Sequence, residues 1–341
     1  MRLIGYRDET GLPAVGAVRG DRLLPVARLA EAGLVPEELR WLDLAGLLEA
    51  DPGLESLAAA LAAAPGSIET LALDSVEVTP AVARPGKIVC IGLNYGDHVA
   101  EQGAEVPDRP LLFSKFANAL VADGEPVIRP AGTRALDLEA ELGVVIGRTA
   151  RRVARADAWG HVAGYVAVND ISARDWQGNK VALAPGERGD GQWLRAKGSD
   201  TFFPMSATFV TLDEAGRAPA VAVRSWRIGA TGPAAGVPVA MQAGRADDLV
   251  FDIPALIEFV TGSLTLEPGD VISTGTPAGV GVFHRPPVYL EPGDVAIVEV
   301  EGIGRIESPI ADADGRVPDG SPAARLLEAR TGRGRTGRLE G

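Results

Sequence analysis

Acidic and apolar side chains alternate between Leu136 and Leu142 of this 341-residue chain. A period of two is typical of a β-strand, on which Asp137, Glu139 and Glu141 would share one face. The residues that follow Leu142 are almost wholly apolar, so this strand is predicted to enter a core. Three carboxylates at the mouth of a core need lysine or arginine partners, protonation or a bound cation. The alternative is a solvated edge strand with ordinary salt bridges.

Asp170 adds a third oxygen donor to Glu139 and Glu141. It ends an apolar strand predicted over His161–Asn169, where a side chain can point into the floor of a pocket. Three carboxylates would leave half of an octahedral magnesium shell open to water and substrate. The chain has one cysteine and three histidines, so a zinc site of the cysteine–histidine type is nearly excluded. An oxygen-bound cation would be magnesium, manganese or calcium.

A candidate base lies upstream, in Asp97–Glu101. If residues 97–103 form a short helix, His98 and Glu101 lie on one face at a spacing of three residues. A carboxylate beside an imidazole fixes its tautomer and raises its basicity, which is the arrangement of a base that activates water. A surface salt bridge is the alternative interpretation.

Two further segments could stabilise negative charge. Lys197 lies in Ala-Lys-Gly-Ser-Asp, and Thr276 lies in a Gly/Pro loop after a predicted strand, where backbone amides and hydroxyls can approach an anion. A phosphate-binding P-loop is excluded because no Gly-Lys-Ser/Thr closes a Gly-x-x-x-x-Gly frame there. Cys90 lies in a buried-strand pattern and is interpreted as an inert core residue rather than a nucleophile.

The bulk composition narrows the class of protein. The net charge of -13 and the lack of a basic stripe argue against nucleic-acid binding. No run of about 18 apolar residues exists, which argues against a membrane-spanning helix, and Met1–Tyr6 has no apolar stretch typical of a signal peptide. A single cysteine cannot form an intrachain disulfide, which fits a reducing compartment. We therefore expect a cytoplasmic protein without membrane or nucleic-acid partners.

The chain is predicted to divide into three parts. Residues 1–80 combine short strands with a Leu/Ala/Glu-rich segment, which indicates a small N-terminal α+β domain. Residues 81–315 carry many short apolar strands and few helices, of which Ile253–Val260 is the clearest, and are predicted to form the β-rich catalytic domain. Residues 229–246 read as a long loop. The arginine-containing residues 316–341 are expected to be a flexible tail, with an anion-binding arm as the alternative.

Five ordered motifs, together with Lys197, resemble the fumarylacetoacetate hydrolase family. The resemblance covers about Lys87 to Pro309. The motifs are Ile-Gly-Leu-Asn-Tyr-x-x-His (Ile91–His98), Phe-Ser-Lys (Phe113–Lys115), Leu-Glu-Ala-Glu-Leu (Leu138–Leu142), Asn-Asp-Ile-Ser-Ala-Arg-Asp (Asn169–Asp175) and Thr-Gly-Thr-Pro-x-Gly-Val-Gly (Thr274–Gly281).

The resemblance implies a fold, a cofactor and a set of site residues. The fold is an α+β, β-rich mixed-sheet roll that usually forms a homodimer, here with the small N-terminal α+β domain. A magnesium, manganese or calcium ion is expected on Glu139, Glu141 and Asp170, with Asp137 outside the ligand set. The expected catalytic residues are His98 and Glu101, on a mobile lid, and Lys197. The expected substrate-binding residues are Tyr95, Lys115, Arg174, Asp175, Gln177 and Thr276.

The resemblance also implies an activity. We expect hydrolysis of a C–C bond in a small 2,4-dioxo acid of acylpyruvate or fumarylacetoacetate type, with the cation stabilising an enolate and His98 activating water. An isomerase, tautomerase or decarboxylase acting on 2-oxo acids at the same site is the alternative. A non-catalytic protein stabilised by calcium is a third, against which the His98–Glu101 pair speaks. The polar insert at residues 178–195 is expected to shape the entrance to the site.

Overall fold

The computed structural model describes residues 1–335, whose strands form one large mixed sheet and two smaller ones. The strands, in chain order, are Arg2–Arg7 (β1), Pro13–Arg19 (β2), Arg22–Pro25 (β3), Leu71–Ala72 (β4), Ile88–Gly92 (β5), Leu111–Lys115 (β6), Leu120–Ala122 (β7), Val127–Ile128 (β8), Leu136–Asp137 (β9), Ala140–Ile146 (β10), Val162–Asn169 (β11), Ser172–Ala173 (β12), Phe203–Met205 (β13), Thr208–Thr211 (β14), Ala222–Ile228 (β15), Pro238–Arg245 (β16), Val271–Ser273 (β17), Val295–Val300 (β18) and Gly304–Ala311 (β19).

Among residues 1–335, the helices are fewer than the strands, and most of the helices are short. The α-helices are Val26–Glu31 (α1), Leu44–Ala50 (α2), Glu55–Ala63 (α3), Gly96–Glu101 (α4), Arg174–Gln177 (α5), Trp193–Gly198 (α6), Leu212–Ala215 (α7), Ile253–Thr261 (α8) and Pro322–Arg335 (α9). Short 3-10 helices cover Glu37–Trp41, Leu73–Ser75, Ala117–Ala119, Arg155–His161 and Gly281–Phe283. Helix α8 agrees with its prediction: Asp252 caps it by accepting a hydrogen bond from the Ala255 amide at 3.0 Å.

The two larger sheets pack face to face around an apolar core. The large sheet runs β4-β3-β2-β1-β14-β11-β10-β17-β5-β6, and the second runs β16-β15-β18-β19-β8. Leu142 of β10 and Tyr165 of β11 share one buried cluster with Val298 of β18. The β10–β11 and β10–β17 pairs are antiparallel, whereas β17 and β5 are parallel. The mixed sheet confirms the predicted sheet-rich α+β class. In such a sheet, a buried apolar strand can have an antiparallel neighbour on one side and a parallel neighbour on the other.

The N-terminal strands continue the large sheet. Residues 2–4 of β1 pair antiparallel with residues 208–210 of β14, and the Gly5 amide donates to the Ala207 carbonyl at 3.0 Å. Leu3 of β1 and Phe209 of β14 lie in one buried cluster. The predicted boundary near residue 80 is therefore not a boundary in the sheet. A strand's partner is chosen by tertiary packing, which the alternation within one short strand does not specify.

Deleting residues 1–80 tests whether the remainder folds alone, as the sequence suggested. We now expect loss of solubility or a melting temperature lower by more than about 10 °C, because the deletion bares the edge of β14 and part of its core. Thermal unfolding and sedimentation would measure this, and co-expression of residues 1–80 should restore the fold. A soluble truncated protein with wild-type melting would show that the two parts are independent.

Two predicted irregular segments contain regular structure. In the expected flexible tail, residues 322–335 form α9, whose Ala323 is fully buried and whose Arg330 pairs with Asp123 at 3.0 Å. Residues 336–341 lie outside the described part of the chain. In the segment expected to be a loop, β16 pairs along β15 from Pro238 to Arg245. Both segments gain order from partners outside them: α9 from Asp123, far earlier in the chain, and β16 from the preceding strand β15. Within residues 1–335, no helix has the length and apolarity needed to cross a membrane.

Candidate metal centre and active site

Three buried carboxylates converge where β10 and β11 meet. Glu139, Glu141 and Asp170 each offer an oxygen, and these oxygens lie within 4.8 Å of one another. Their exposed fractions are 4%, 1% and 0%. The pairing of Ala140 with Asn169 brings the two strand ends together, and the Asp170 amide donates to the Glu139 carbonyl at 2.9 Å. The burial excludes the solvated-edge interpretation of the acidic strand.

Asp137 faces a different set of partners because the strand is interrupted after it. Its carboxylate accepts hydrogen bonds from the amides of Gly281 (2.8 Å) and Val282 (3.1 Å) and from Arg174 Nε (2.9 Å). Asp137 therefore holds the Gly/Pro loop and Arg174 in place and lies outside the three-carboxylate cluster.

Three buried cations balance most of this negative charge. Lys197 Nζ lies 2.7 Å from Glu139 Oε2 and 2.8 Å from Asp170 Oδ2. Arg174 Nη2 lies 2.6 Å from Glu139 Oε1, and Lys115 Nζ lies 2.7 Å from Asp170 Oδ1. Burial alone would raise the pKa of Glu139, but Arg174 and Lys197 hold it well below its usual range. Glu139 is thus ionised and fully paired.

Glu141 has no such counter-ion. It accepts hydrogen bonds from the Ser273 hydroxyl and from the Gly275 amide at 2.9 Å, and no lysine or arginine of residues 1–331, whose side chains the structure describes, forms an ion pair with it. Burial, with the nearby Asp170 and Glu139 carboxylates, raises the pKa of Glu141 well above its usual range. A buried carboxylate without a cation, beside two others, is a donor set that suits a divalent ion with hard oxygen ligands. The cluster therefore fits the cation that the sequence predicted.

The raised pKa of Glu141 gives a pH dependence to the cation-free protein. Its folded carboxyl holds a proton more tightly than the unfolded one, so the stability it contributes is complete below its unfolded pKa of about 4.3 and is lost as the pH rises toward the folded value. As the pH rises above about 4.3, chelator-treated wild type should therefore lose melting temperature relative to Glu141→Gln, until the folded carboxyl is ionised. Thermal melts of both proteins at each pH would measure this, and a pH-independent difference would contradict it.

His98 lies on α4 and forms the predicted pair with Glu101. The distance from His98 Nδ1 to Glu101 Oε1 is 2.6 Å, and His98 is 5% exposed, so the pair is not a surface salt bridge. Glu101 Oε2 also accepts a hydrogen bond from the Gly279 amide at 3.0 Å, which ties α4 to the Gly/Pro loop. Gly279 has φ of 102°, a left-handed conformation that favours glycine.

A cavity of about 200 Å³ joins the base to the carboxylates. Seven residues predicted from the sequence line it, namely His98, Glu139, Glu141, Arg174, Gln177, Lys197 and Thr276. Gly178, Asn179 and Trp193 also line it, so the polar insert does contribute to the site. The Thr276 hydroxyl donates to the Ala140 carbonyl at 2.9 Å.

Three predicted substrate-binding residues do not reach this cavity. Tyr95 is fully buried, and its hydroxyl has no hydrogen-bond partner within the described residues. Lys115 Nζ donates to the carbonyls of Ile171 (3.1 Å) and Phe202 (2.8 Å). Asp175 accepts hydrogen bonds from Thr133 Oγ1 at 2.6 Å and from the Arg134 amide at 3.0 Å. These side chains support the loops around the site, and membership of a motif does not distinguish such a role from contact with substrate.

Two glutamines were not predicted. Gln102 lies 2.7 Å from His98 Nε2 and lines the cavity, and its spacing of four residues from His98 on a helix is a signal that was available. Gln242 of β16 accepts from the Ala140 amide at 2.9 Å and donates to Thr276 Oγ1 at 2.6 Å. Its segment was interpreted as a loop, so no sequence signal pointed to it.

The motifs and geometry agree with a comparison against known families. Residues 87–311 match the family described as Fumarylacetoacetate (FAA) hydrolase C-terminal. The chain belongs to the fumarylacetoacetate hydrolase family. Members of this enzyme family depend on a divalent metal, which fits the carboxylate cluster.

Similar members of the family carry different activities in their names. The mitochondrial oxaloacetate tautomerase fahd2 of Xenopus laevis is 36% identical over 258 residues, which cover 76% of this chain and 76% of that protein. Fumarylacetoacetate hydrolase from the psychrophile Exiguobacterium antarcticum has a TM-score of 0.71 and 29% identity, covering 92% and 99% of the two chains. The 2-hydroxyhepta-2,4-diene-1,7-dioate isomerase of Mycobacterium marinum has a TM-score of 0.64 and 28% identity, covering 92% and 98%.

Proposed function

We propose that this protein is a divalent-cation-dependent tautomerase that interconverts the keto and enol forms of a small 2-oxo acid bearing an oxygen on C4. One observation carries the proposal. A single cavity is lined by Glu139 and Glu141, two carboxylates of a cluster that can hold a cation, and by His98. The Nδ1 atom of His98 is hydrogen-bonded to Glu101. Enolisation needs these two parts, an electron-withdrawing centre at the 2-oxo group and a base near C3.

Glu139, Glu141 and Asp170 would hold the cation, with magnesium or manganese as the proposed ion and calcium as a third choice. When bound, the cation would supply Lewis-acid chemistry toward the 2-oxo oxygen of the substrate. Charge supports this arrangement. Asp137 and the cluster give four buried carboxylates against three buried cations, so a divalent ion turns the local balance positive and favours an anionic substrate.

His98 carries the proton transfer in this proposal. Its Nδ1–H donates to Glu101, which leaves the Nε2 lone pair to accept a proton from C3 of the substrate. The C3–H electron pair then forms the C2=C3 double bond, the C2=O π electrons move onto the oxygen, and that oxygen takes up the proton that His98 has carried. Glu101 stabilises the imidazolium while it carries the proton. Lys197 uses two of its three N–H donors on Glu139 and Asp170, and we assign the third to a substrate oxygen.

The relatives support enolisation as the shared step. The Xenopus laevis relative is named an oxaloacetate tautomerase, and the Mycobacterium marinum neighbour is named an isomerase of an unsaturated dicarboxylic acid. Both names describe movement of a proton and a double bond without loss of carbon, which is the chemistry of the alternative weighed from the sequence.

C–C bond hydrolysis is the second candidate, and the likeness to Exiguobacterium antarcticum fumarylacetoacetate hydrolase over 92% of this chain favours it. His98 would then take a proton from water, the hydroxide would attack the C4 carbonyl, and the C3–C4 bond would break with its electron pair leaving on C3. A non-catalytic protein stabilised by calcium would not require the His98–Glu101 pair, so we rank this third alternative last.

Products distinguish these functions. The magnesium-loaded protein would be incubated with oxaloacetate, acylpyruvates and hydroxymuconate-like dienes, with products identified by mass and solvent deuterium followed at C3. A tautomerase gives exchange without a new product, a hydrolase gives two acids with the gain of water, and a decarboxylase gives loss of carbon dioxide. The absence of exchange and of products with every substrate would overturn the proposed function.

We further propose that the protein acts as a homodimer in the cytoplasm, without membrane or nucleic-acid partners. The dimer rests on the family's usual assembly, and sedimentation would test it. The location rests on the sequence; the Xenopus laevis relative is named as mitochondrial, so fractionation of cells is the deciding measurement.

A further inference from the structure

The side-chain amide of Gln102 is hydrogen-bonded to His98 Nε2, the ring nitrogen that accepts the proton in the proposed reaction. Gln102 follows directly after α4, and its Nε2 lies 2.7 Å from His98 Nε2. It also lines the cavity, beside His98, Leu111 and Phe283. The contact is therefore made on the side of the imidazole that faces the site and not on the side that faces Glu101.

The tautomer of His98 fixes the direction of this hydrogen bond. Glu101 accepts from Nδ1, so a neutral His98 carries its proton there and has a lone pair on Nε2. Only a donor can bond to that lone pair, and the side-chain amide of Gln102 supplies one. A substrate whose proton is to pass to Nε2 must displace this amide.

We propose that Gln102 is a specificity-determining residue: on substrate binding its amide leaves His98 Nε2 and donates to an oxygen on C4 of the substrate. This inference rests on the proposed function, because it places C3 against His98. The oxygen can belong to a carboxylate, as in a 2-oxo dicarboxylic acid, or to a ketone, as in a 2,4-dioxo acid.

Geometry supports this transfer of the hydrogen bond. C4 is bonded to the carbon that gives up its proton, so its oxygens lie close to Nε2 when C3 does. The Gln102 amide lies 2.7 Å from the same nitrogen. Arg174 donates to Asp137 and Gln177. Lys197 donates to Glu139 and Asp170, and its one remaining N–H is the one assigned above to a substrate oxygen, which we place at the C1–C2 end rather than on C4. Leu111 and Phe283, the apolar neighbours, offer no donor.

The test compares two substrates that differ only at C4. Oxaloacetate carries a carboxylate there and 2-oxobutanoate a methyl group, and the readout is kcat/KM for solvent deuterium exchange at C3. In Gln102→Leu, the preference for oxaloacetate should fall roughly 10- to 100-fold, the usual effect of losing a hydrogen bond to a charged group. Exchange of 2-oxobutanoate should become faster, because no amide then has to be displaced from His98 Nε2. Gln102→Glu, equal in length but a repelling acceptor, should lower the preference further.

A binding measurement separates failure of this inference from failure of the proposed function. Calorimetry with the 3,3-difluoro analogues of both acids, which cannot enolise, gives the preference without catalysis. A Gln102-dependent preference in binding, with no exchange by wild type, would overturn the tautomerase and keep the assignment of Gln102. A parallel loss for both acids, or an unchanged preference in Gln102→Leu, would overturn the assignment.

Discussion

Replacing Glu141 by glutamine is expected to abolish divalent-cation binding and all activity while leaving the protein folded. Glu141 is one of three carboxylates that can contact the ion, and the one without a lysine or arginine partner among the side chains described for residues 1–331. Removing its charge removes repulsion from Asp170 and Glu139. The cation-free variant should therefore be within about 1 kcal/mol of wild type or more stable. Calorimetric titration with magnesium or manganese and thermal melts in chelator would measure both effects.

Glu139→Gln is the matched control, because it removes a ligand of the same kind from a different charge environment. It leaves Lys197 and Arg174 buried without one of their carboxylates, and breaking such a buried pair typically costs about 3–5 kcal/mol. Both variants should lose the cation, but only Glu139→Gln should lose stability in chelator. Equal stability losses would contradict the charge assignment, and an active Glu141→Gln protein would contradict the metal site.

Replacing His98 by alanine is expected to slow catalysis by roughly 10²–10⁴-fold, the usual contribution of a general base. Cation binding should survive, because the carboxylate cluster does not use the imidazole. Glu101→Gln should lie between wild type and His98→Ala, since it weakens the base without removing it and keeps the side-chain length. Steady-state rates and calorimetric titration of the three proteins would measure the series.

The same variant separates the two candidate reactions. In a tautomerase, His98→Ala should lower deuterium exchange at C3 together with turnover. In a hydrolase, cleavage should be lost while exchange, which the cation promotes, survives in part. A His98→Ala protein that converts substrate at a near wild-type rate would show that the imidazole is not the base.

Local spacing was enough to find the chemical groups of this site. The alternation around Glu139 and Glu141, the position of Asp170 at the end of a strand and the helical spacing of His98 and Glu101 are all properties of short segments, and the structure brings these groups together. Lys197 and Thr276 were also singled out from their own segments, and the resemblance to a family added Arg174 and Gln177; all four line the same cavity.

What the sequence did not show depends on partners that lie outside each segment. The strand through Asp137 breaks before Glu139, so the alternation does not mark one continuous strand, and both its acidic and its apolar residues are buried. The pairing of β1 with β14 joins segments about two hundred residues apart, and a pattern within either segment cannot specify it. Lys115, Asp175 and Tyr95 lie in motifs shared with the site but do not line its cavity. Gln242 contacts Thr276, which does line it, from a segment that forms a strand by pairing with β15.

Solvent deuterium exchange at C3 of oxaloacetate, measured by proton NMR against a protein-free blank, tests the central claim most directly. The account predicts rapid exchange by the magnesium-loaded wild type, loss of exchange on chelation, recovery when the ion is restored, and no recovery in Glu141→Gln. Exchange by the wild type that continues at the same rate in chelator would contradict the claim that a cation on Glu139, Glu141 and Asp170 drives the reaction.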